Sequence, residues 1–235
     1  MNYPVLFIFA IAPSIVWLLF YLRKDVHPES NRQIIKVFLY GMLAVLPVFF
    51  IEKGFYKLLL DLGVSKILFS ILSVFIGVAL VEEVFKYLVV RDKVLSDPEF
   101  DEPIDAMLYM IISALGFAAL ENILIFFSGN LEGPYSPFLL SISRLISATF
   151  LHALSSGLVG YYLAKSFFEI RKRFRLLLTG LTSSTILHGL YNFSIMEIEG
   201  SLRLLIPLII LVGLAIFISL GFKRLKKLKS VCKIN

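Results

Sequence analysis

Apolar runs of about 20 residues, parted by short charged segments, decide what this chain can fold into. A helix of that length crosses the roughly 30 Å of hydrocarbon in a bilayer. Within lipid every backbone polar group must be satisfied internally, so only helices or a closed barrel can span it. The alternating pattern of a membrane barrel is absent, whereas 58% of the 235 residues are hydrophobic, against about half in a soluble domain. The chain is therefore expected to be an all-α, polytopic membrane bundle.

Seven transmembrane helices are expected, over 3–22, 34–51, 67–90, 104–128, 138–164, 176–193 and 202–221. The connections are too short for a separate soluble domain, so 1–235 reads as one integral membrane unit. Residues 1–33 give the first span and a basic loop, 67–193 the core spans, and 222–235 a basic tail. The first run has no basic start and is too long for a signal-peptide core, which favours a retained span. The loop 52–66 (EKGFYKLLLDLGVSK) reads equally as an extended loop or a short amphipathic helix along the interface.

Basic residues set the orientation. Seventeen follow the odd-numbered spans or lie in the tail, from Arg23 and Lys24 through Arg91, Arg171 and Arg173 to Lys223 and Lys233. The opposite side has four: Lys53, Lys57, Lys66 and Arg203. The N-terminus is expected outside and the C-terminus in the cytoplasm. This asymmetry accounts for the net charge of +6, so no nucleic-acid partner is inferred. The single Cys232 excludes a disulfide framework or a cysteine zinc site.

Ionisable residues inside spans cost at least about 2.5–3.5 kcal/mol each at the bilayer centre, so they are functional candidates. The third span holds Glu82, Glu83 and Lys86; the fourth holds Glu121 and Asn122. His152 and His188, two of only three histidines, lie in the fifth and sixth. Arg144 also lies in the apolar stretch of the fifth. Glu82 and Lys86, His152 and Ser156, and His188 and Asn192 are each four apart and share a helix face. Ordinary roles compete with this reading. Glu82 and Lys86 could be a neutralising ion pair, either histidine an interhelical bridge, and Ser156 and Asn192 polar glue. His27, in a polar loop, is expected to be solvated. Three carboxylates and two imidazoles together favour a reactive cluster. Such a set could hold a divalent metal beside an acid/base carboxylate, or let one glutamate activate water without metal. A proton relay in an ion-coupled transporter uses the same residue types.

At these residues the sequence resembles the PrsW family of intramembrane proteases, related more distantly to the CAAX-processing and bacteriocin-immunity proteases. The loop of Asp25, Pro28 and Glu29 is similar to an acidic, proline-containing segment after that family's first span. EEVFK at 82–86 is similar to its EExxK motif, and the stretch from Asp105 to Glu121 and Asn122 to its FxxxE segment. HALSSGLVGY at 152–161 and HGLYNF at 188–193 are similar to its two histidine motifs. The resemblance implies a membrane-embedded endopeptidase in the plasma membrane of a prokaryote. Its substrate would be a membrane-anchored or membrane-proximal protein entering laterally between helices, an anti-sigma factor in the family's best-known role. Glu82, Glu83, Glu121, His152 and His188 would form the catalytic set, supported by Lys86, Asn122, Ser156 and Asn192. Glu121, His152 and His188 would hold zinc or another divalent metal, or the site would work on glutamate alone. Nothing in the sequence sets an oligomeric state.

The span boundaries carry one conflict. They put Glu83 towards the cytoplasm and Glu121 and His188 in the outer half, an offset on the order of 10 Å. A third helix that starts later and runs past Arg91 would raise the glutamates towards the midplane.

Overall fold

A computed structural model describes residues 3–25, 27–128 and 136–228. Cys232 and the last tail lysines, Lys229 and Lys233, lie outside the described residues. Nine α-helices appear among them: α1 (Tyr3–Leu22), α2 (Asn31–Asp61), α3 (Lys66–Leu72), α4 (Val81–Lys93), α5 (Pro103–Phe127), α6 (Pro137–Ile146), α7 (Ala148–Phe168), α8 (Arg173–Glu197) and α9 (Leu202–Leu225). A π-helical stretch, Ser73–Leu80, joins α3 to α4 into one continuous rod. The described residues contain no strand.

Six of the resulting rods are long and apolar enough to cross a bilayer: α1, α2, α3–α4, α5, α6–α7 and α9. The seventh, α8, has 25 residues, but Thr179, Thr182, Ser183, Ser184 and Thr185 make its middle more polar. It packs against α7, the π stretch and α9. The chain is a multi-pass membrane bundle.

Local chemistry explains where the rods begin. Ser30 caps α2 by accepting from the Gln33 amide, and Ser136 caps α6 through the Leu139 amide. At α5, Pro103 opens the first turn and Asp105 accepts from the Asp101 and Glu102 amides at 3.1 and 2.7 Å. The caps of α2 and α5 lie at one end of the bundle. There Gln33 donates to the Lys93 carbonyl, Lys36 stands 3.6 Å from Asp97, and Phe100 packs on Phe167. The basic segments thus gather at a single end, as the charge count requires of a cytoplasmic face.

The centre of the bundle is α5. Its most apolar stretch is 67% buried, against 28% in α1 and in α9, so α5 is surrounded by protein while those two face lipid on most sides. It crosses α2 at backbone contact. A Cβ on Gly116 would strike the Phe38 carbonyl oxygen, and one on Gly41 would strike that of Ser113. Only glycine permits so close an approach.

Three boundaries differ from expectation. The second rod runs on to Asp61, so segment 52–66 is neither an extended loop nor a separate interfacial helix. Phe55, Tyr56 and Leu58 to Leu60 continue the apolar pattern there, and the helix passes through Gly54 and ends before Gly63, whose φ is 59°. The fifth span breaks at Ser147, where φ is −119° and ψ −102°. The third rod does run past Arg91 to Lys93, but it starts at Lys66 rather than later. The π stretch supplies the missing shift. Its i→i+5 bonding places an extra residue in each turn and shortens the run from Lys66 to the glutamates.

Candidate active site

Glu82 and Glu83 stand in the first turn of α4, directly after the π stretch. Glu83, Lys86, Ser155 and Ser156 are fully buried, and Glu82, His152 and His188 retain at most 3% exposure. The expected 10 Å offset is absent: His188 Nδ1 lies 3.0 Å from Glu83 Oε1. Rods α4, α5, α7 and α8 converge on one largely buried polar cluster.

The adjacent glutamates are held differently. Glu83 Oε1 accepts from Lys86 Nζ at 2.9 Å and Ser155 Oγ at 3.0 Å, and Oε2 accepts from Ser156 Oγ at 2.8 Å. With His188 Nδ1, Glu83 has four hydrogen-bond donors around it. Glu82 Oε2 accepts from Lys86 Nζ at 3.0 Å, while Oε1 has no hydrogen-bond partner among the described residues. Lys86 spends its third proton on His152 Nδ1 at 2.8 Å. One ammonium thus joins both carboxylates and an imidazole.

These partners assign the tautomers. His152 accepts at Nδ1, so its proton is on Nε2, donated to Glu121 Oε2 at 3.1 Å. His188 donates from Nδ1 to Glu83, which leaves Nε2 as an acceptor facing Glu82 Oε2 at 3.9 Å. Each imidazole turns one bare nitrogen towards Glu82 and gives its N–H to a second carboxylate. A tetrahedral zinc with bonds of about 2.1 Å separates its ligand atoms by about 3.4 Å. Glu82 Oε2 lies 3.5 Å from His152 Nδ1, and the Glu82, His152 and His188 donors all lie within 4.8 Å of one another. Two imidazoles and a carboxylate are the donor set of catalytic zinc sites, and a carboxylate behind each histidine is their usual support. The group fits a divalent metal. In this group of donors the carboxylate is Glu82, while Glu121, expected in the set from sequence, lies at the opposite nitrogen of His152.

Glu121 has a different position. Arg144, in the last turn of α6, reaches Glu121 Oε2 at 2.7 Å and Asn122 Oδ1 at 2.5 Å. Asn122 in turn donates to Thr149 Oγ1 at 3.1 Å. Among the supporting residues, Lys86, Asn122 and Ser156 join the network, whereas Asn192 is half-buried and makes no hydrogen bond among the described residues. His27 is solvated, 73% exposed, with Glu102 at 2.6 Å.

Sequence reasoning missed Ser155, Thr149 and the Arg144 clamp, and it missed Glu52. The Glu52 carboxylate, on the extended part of α2, feels the charges of Glu82, Glu121 and Lys86. It lines a cavity of about 240 Å³ with Phe49, Phe55, Ser73 and Gly77. The apolar pattern beyond residue 51 was the signal that would have put it inside a helix.

A family model described as PrsW family intramembrane metalloprotease matches residues 29–220. Protease PrsW of Geobacillus kaustophilus is 33% identical over 80% of this chain and 79% of its own. Those of Oceanobacillus iheyensis and Bacillus subtilis are each 29% identical, over 96% and 94% of both chains. No solved structure matches. With the match running across all the polar rods, the chain belongs to the PrsW family of intramembrane proteases.

Proposed function

We propose that this endopeptidase cleaves its substrate with Glu82 as the acid/base group, at a site where Glu82, His152 and His188 also hold a divalent metal, zinc by their donor types. The observation that carries this reading is the asymmetry of the glutamate pair. Glu83 accepts four hydrogen bonds, from Lys86, His188, Ser155 and Ser156, while Glu82 Oε1 accepts none among the described residues. Glu82 Oε1 takes a proton from the water whose oxygen attacks the scissile carbonyl carbon. The same proton then passes to the amide nitrogen as the C–N bond breaks. When bound, the metal would polarise the carbonyl and lower the pKa of the water.

The other residues position. Glu83 orients His188 and Glu121 orients His152, each through an N–H, and the Arg144 clamp steadies Glu121. Lys86 shares Glu82 Oε2 and His152 Nδ1 with the proposed metal set, so its ammonium and a metal compete for the same two atoms. The substrate is a membrane-anchored or membrane-proximal protein that enters laterally, and an anti-sigma factor is the candidate that the resemblance implies. The cavity beside Glu52, between α2 and the π stretch, is the route to the cluster that this reading favours.

A reporter substrate with one span, cleaved by the purified protein in vesicles, tests the assignment. Glu82→Gln is expected to slow cleavage by about 10²–10⁴-fold with little change in melting temperature. Cleavage by Glu82→Gln at the wild-type rate would sink the assignment. Metal content of the same preparations is the second readout: it should fall in His188→Ala and rise, or persist at lower free metal, in Lys86→Met.

A further inference from the structure

One cavity is remote from the glutamates. It holds about 450 Å³ between α1, α7 and α9, and opens at the basic end of the bundle. Its walls are apolar and largely aromatic: Trp17, Phe20, Tyr21, Phe150, Ile218 and Phe222. Trp17 stacks on Phe150 at 4.0 Å, and the Tyr21 and Phe222 rings lie 5.9 Å apart. At the rim stand Lys24, Lys223 and Lys226. No carboxylate lines the cavity, and none of these three lysines has an acidic partner among the described residues. Lys24 instead lies 4.5 Å over the Phe20 ring.

A cleft with this polarity is amphipathic along the membrane normal. Its apolar part lies between rods that face lipid, and its cationic rim sits at the level where headgroups of the cytoplasmic leaflet begin. Three lysines at one rim, with no acidic partner among the described residues, favour an anion there. A soluble anion would leave the aromatic walls uncovered, and a zwitterionic lipid brings its own cation to the rim. We propose that this cavity binds one anionic phospholipid of the cytoplasmic leaflet. Its phosphate lies among Lys24, Lys223 and Lys226, and an acyl chain lies against Trp17, Phe150 and Ile218. The site is independent of the catalytic cluster in its lining, although Phe150 stands two residues before His152 on α7.

Trp17 is the only tryptophan of the chain and lines this cavity, so its fluorescence reports on the cavity. The full-length protein is reconstituted in phosphatidylcholine vesicles containing a tenth of brominated phosphatidylglycerol, or a tenth of brominated phosphatidylcholine. Bromines on the acyl chain quench indole only at contact. The expected result is at least twofold stronger quenching by the anionic lipid, reduced to the level of the zwitterionic one in Lys24→Gln/Lys223→Gln/Lys226→Gln. A control variant, Arg171→Gln/Arg175→Gln, removes charge from the same end but not from the cavity, and should keep the selectivity. Equal quenching by the two lipids in the wild type overturns the site. So does a selectivity lost equally in the control, which means a general surface attraction, or one abolished by millimolar inorganic phosphate, which means a soluble anion. Unchanged cleavage of the reporter by the triple variant leaves the site standing, because the lipid reading does not depend on the catalytic one.

Discussion

Two polar clusters in this protein use the same residue types for different ends. At the basic end, Asp105 accepts backbone amides, Ser30 caps α2 and bonds Glu99, and Tyr109 donates to Glu29. Much of that cluster terminates helices, and much of it touches water. In the interior, Glu82, Glu83, Lys86, His152 and His188 bond only to side chains of other rods or of their own face. No free backbone group in mid-helix needs them. Polar atoms at a helix end have a structural use that polar atoms in mid-membrane lack. A cost of several kcal/mol borne without that use is the physical mark of a reactive site.

Removing the cation from the interior cluster should break this contrast most severely. Lys86→Met leaves two buried carboxylates and an imidazole without the ammonium that joins them. Breaking a buried pair on one side costs about 3–5 kcal/mol. In chelator-treated protein, where no metal can take the place of the ammonium, a large fall in melting temperature in detergent is expected. The matching change at the basic end, His27→Ala, removes an exposed partner of Glu102 and should leave the melt unchanged. If Lys86→Met melts like the wild type under those conditions, the cluster is open to water and the contrast fails.

Arg144→Gln probes the boundary between the two kinds of site. It unties Glu121 and Asn122 but leaves Glu83, Ser155, Ser156 and His188 in place. Since the Glu121 side chain is 30% exposed, water can take over part of the lost contact. A cost of about 1–2 kcal/mol is expected, smaller than that of Lys86→Met. Cleavage should fall about tenfold through misorientation of His152, because that ring donates its only N–H to Glu121. A variant that keeps full activity would remove Glu121 from the positioning set.

The sequence made the bundle and its interior polar residues legible for the same reason: hydrocarbon punishes exposed polar atoms, so every exception to apolarity inside a span stands out. Glu82, Glu83, Lys86, Glu121, His152 and His188 were such exceptions. The depth of the glutamates was not legible, because it depends on the hydrogen-bond register of Ser73–Leu80, where α and π winding share the same apolar side chains. Glu52 was missed because charges at Lys53 and Lys57 resemble the end of a span. The choice of Glu82 over Glu121 as the carboxylate between the histidines could not come from helical spacing, which fixes faces within a rod but not the rotation of one rod against another.

The smallest expected effect lies at the basic end and concerns Glu29. Burial pushes its carboxyl above the ordinary value of 4.5, with the charges of Asp25 and Glu99 adding to the shift, while the Tyr109 hydroxyl and Asp105 oppose it. A raised carboxyl means that the folded protein holds this proton more tightly than the unfolded chain does. The contribution is therefore complete below pH 4.5 and is lost as pH rises through the folded value. Denaturant melts over that range should show stability falling with pH in the wild type and a flatter profile in Glu29→Gln. Tyr109→Phe removes the hydrogen bond, 2.6 Å long, that favours the charged form, so its profile should be steeper than that of the wild type. The interior cluster gives this test its meaning, since neither variant touches it and reporter cleavage at fixed pH should stay within twofold of the wild type. Identical pH profiles for the wild type and Glu29→Gln would show that Glu29 is solvated. The basic end would then be an ordinary wet surface throughout, and the contrast with the buried interior would be sharper still.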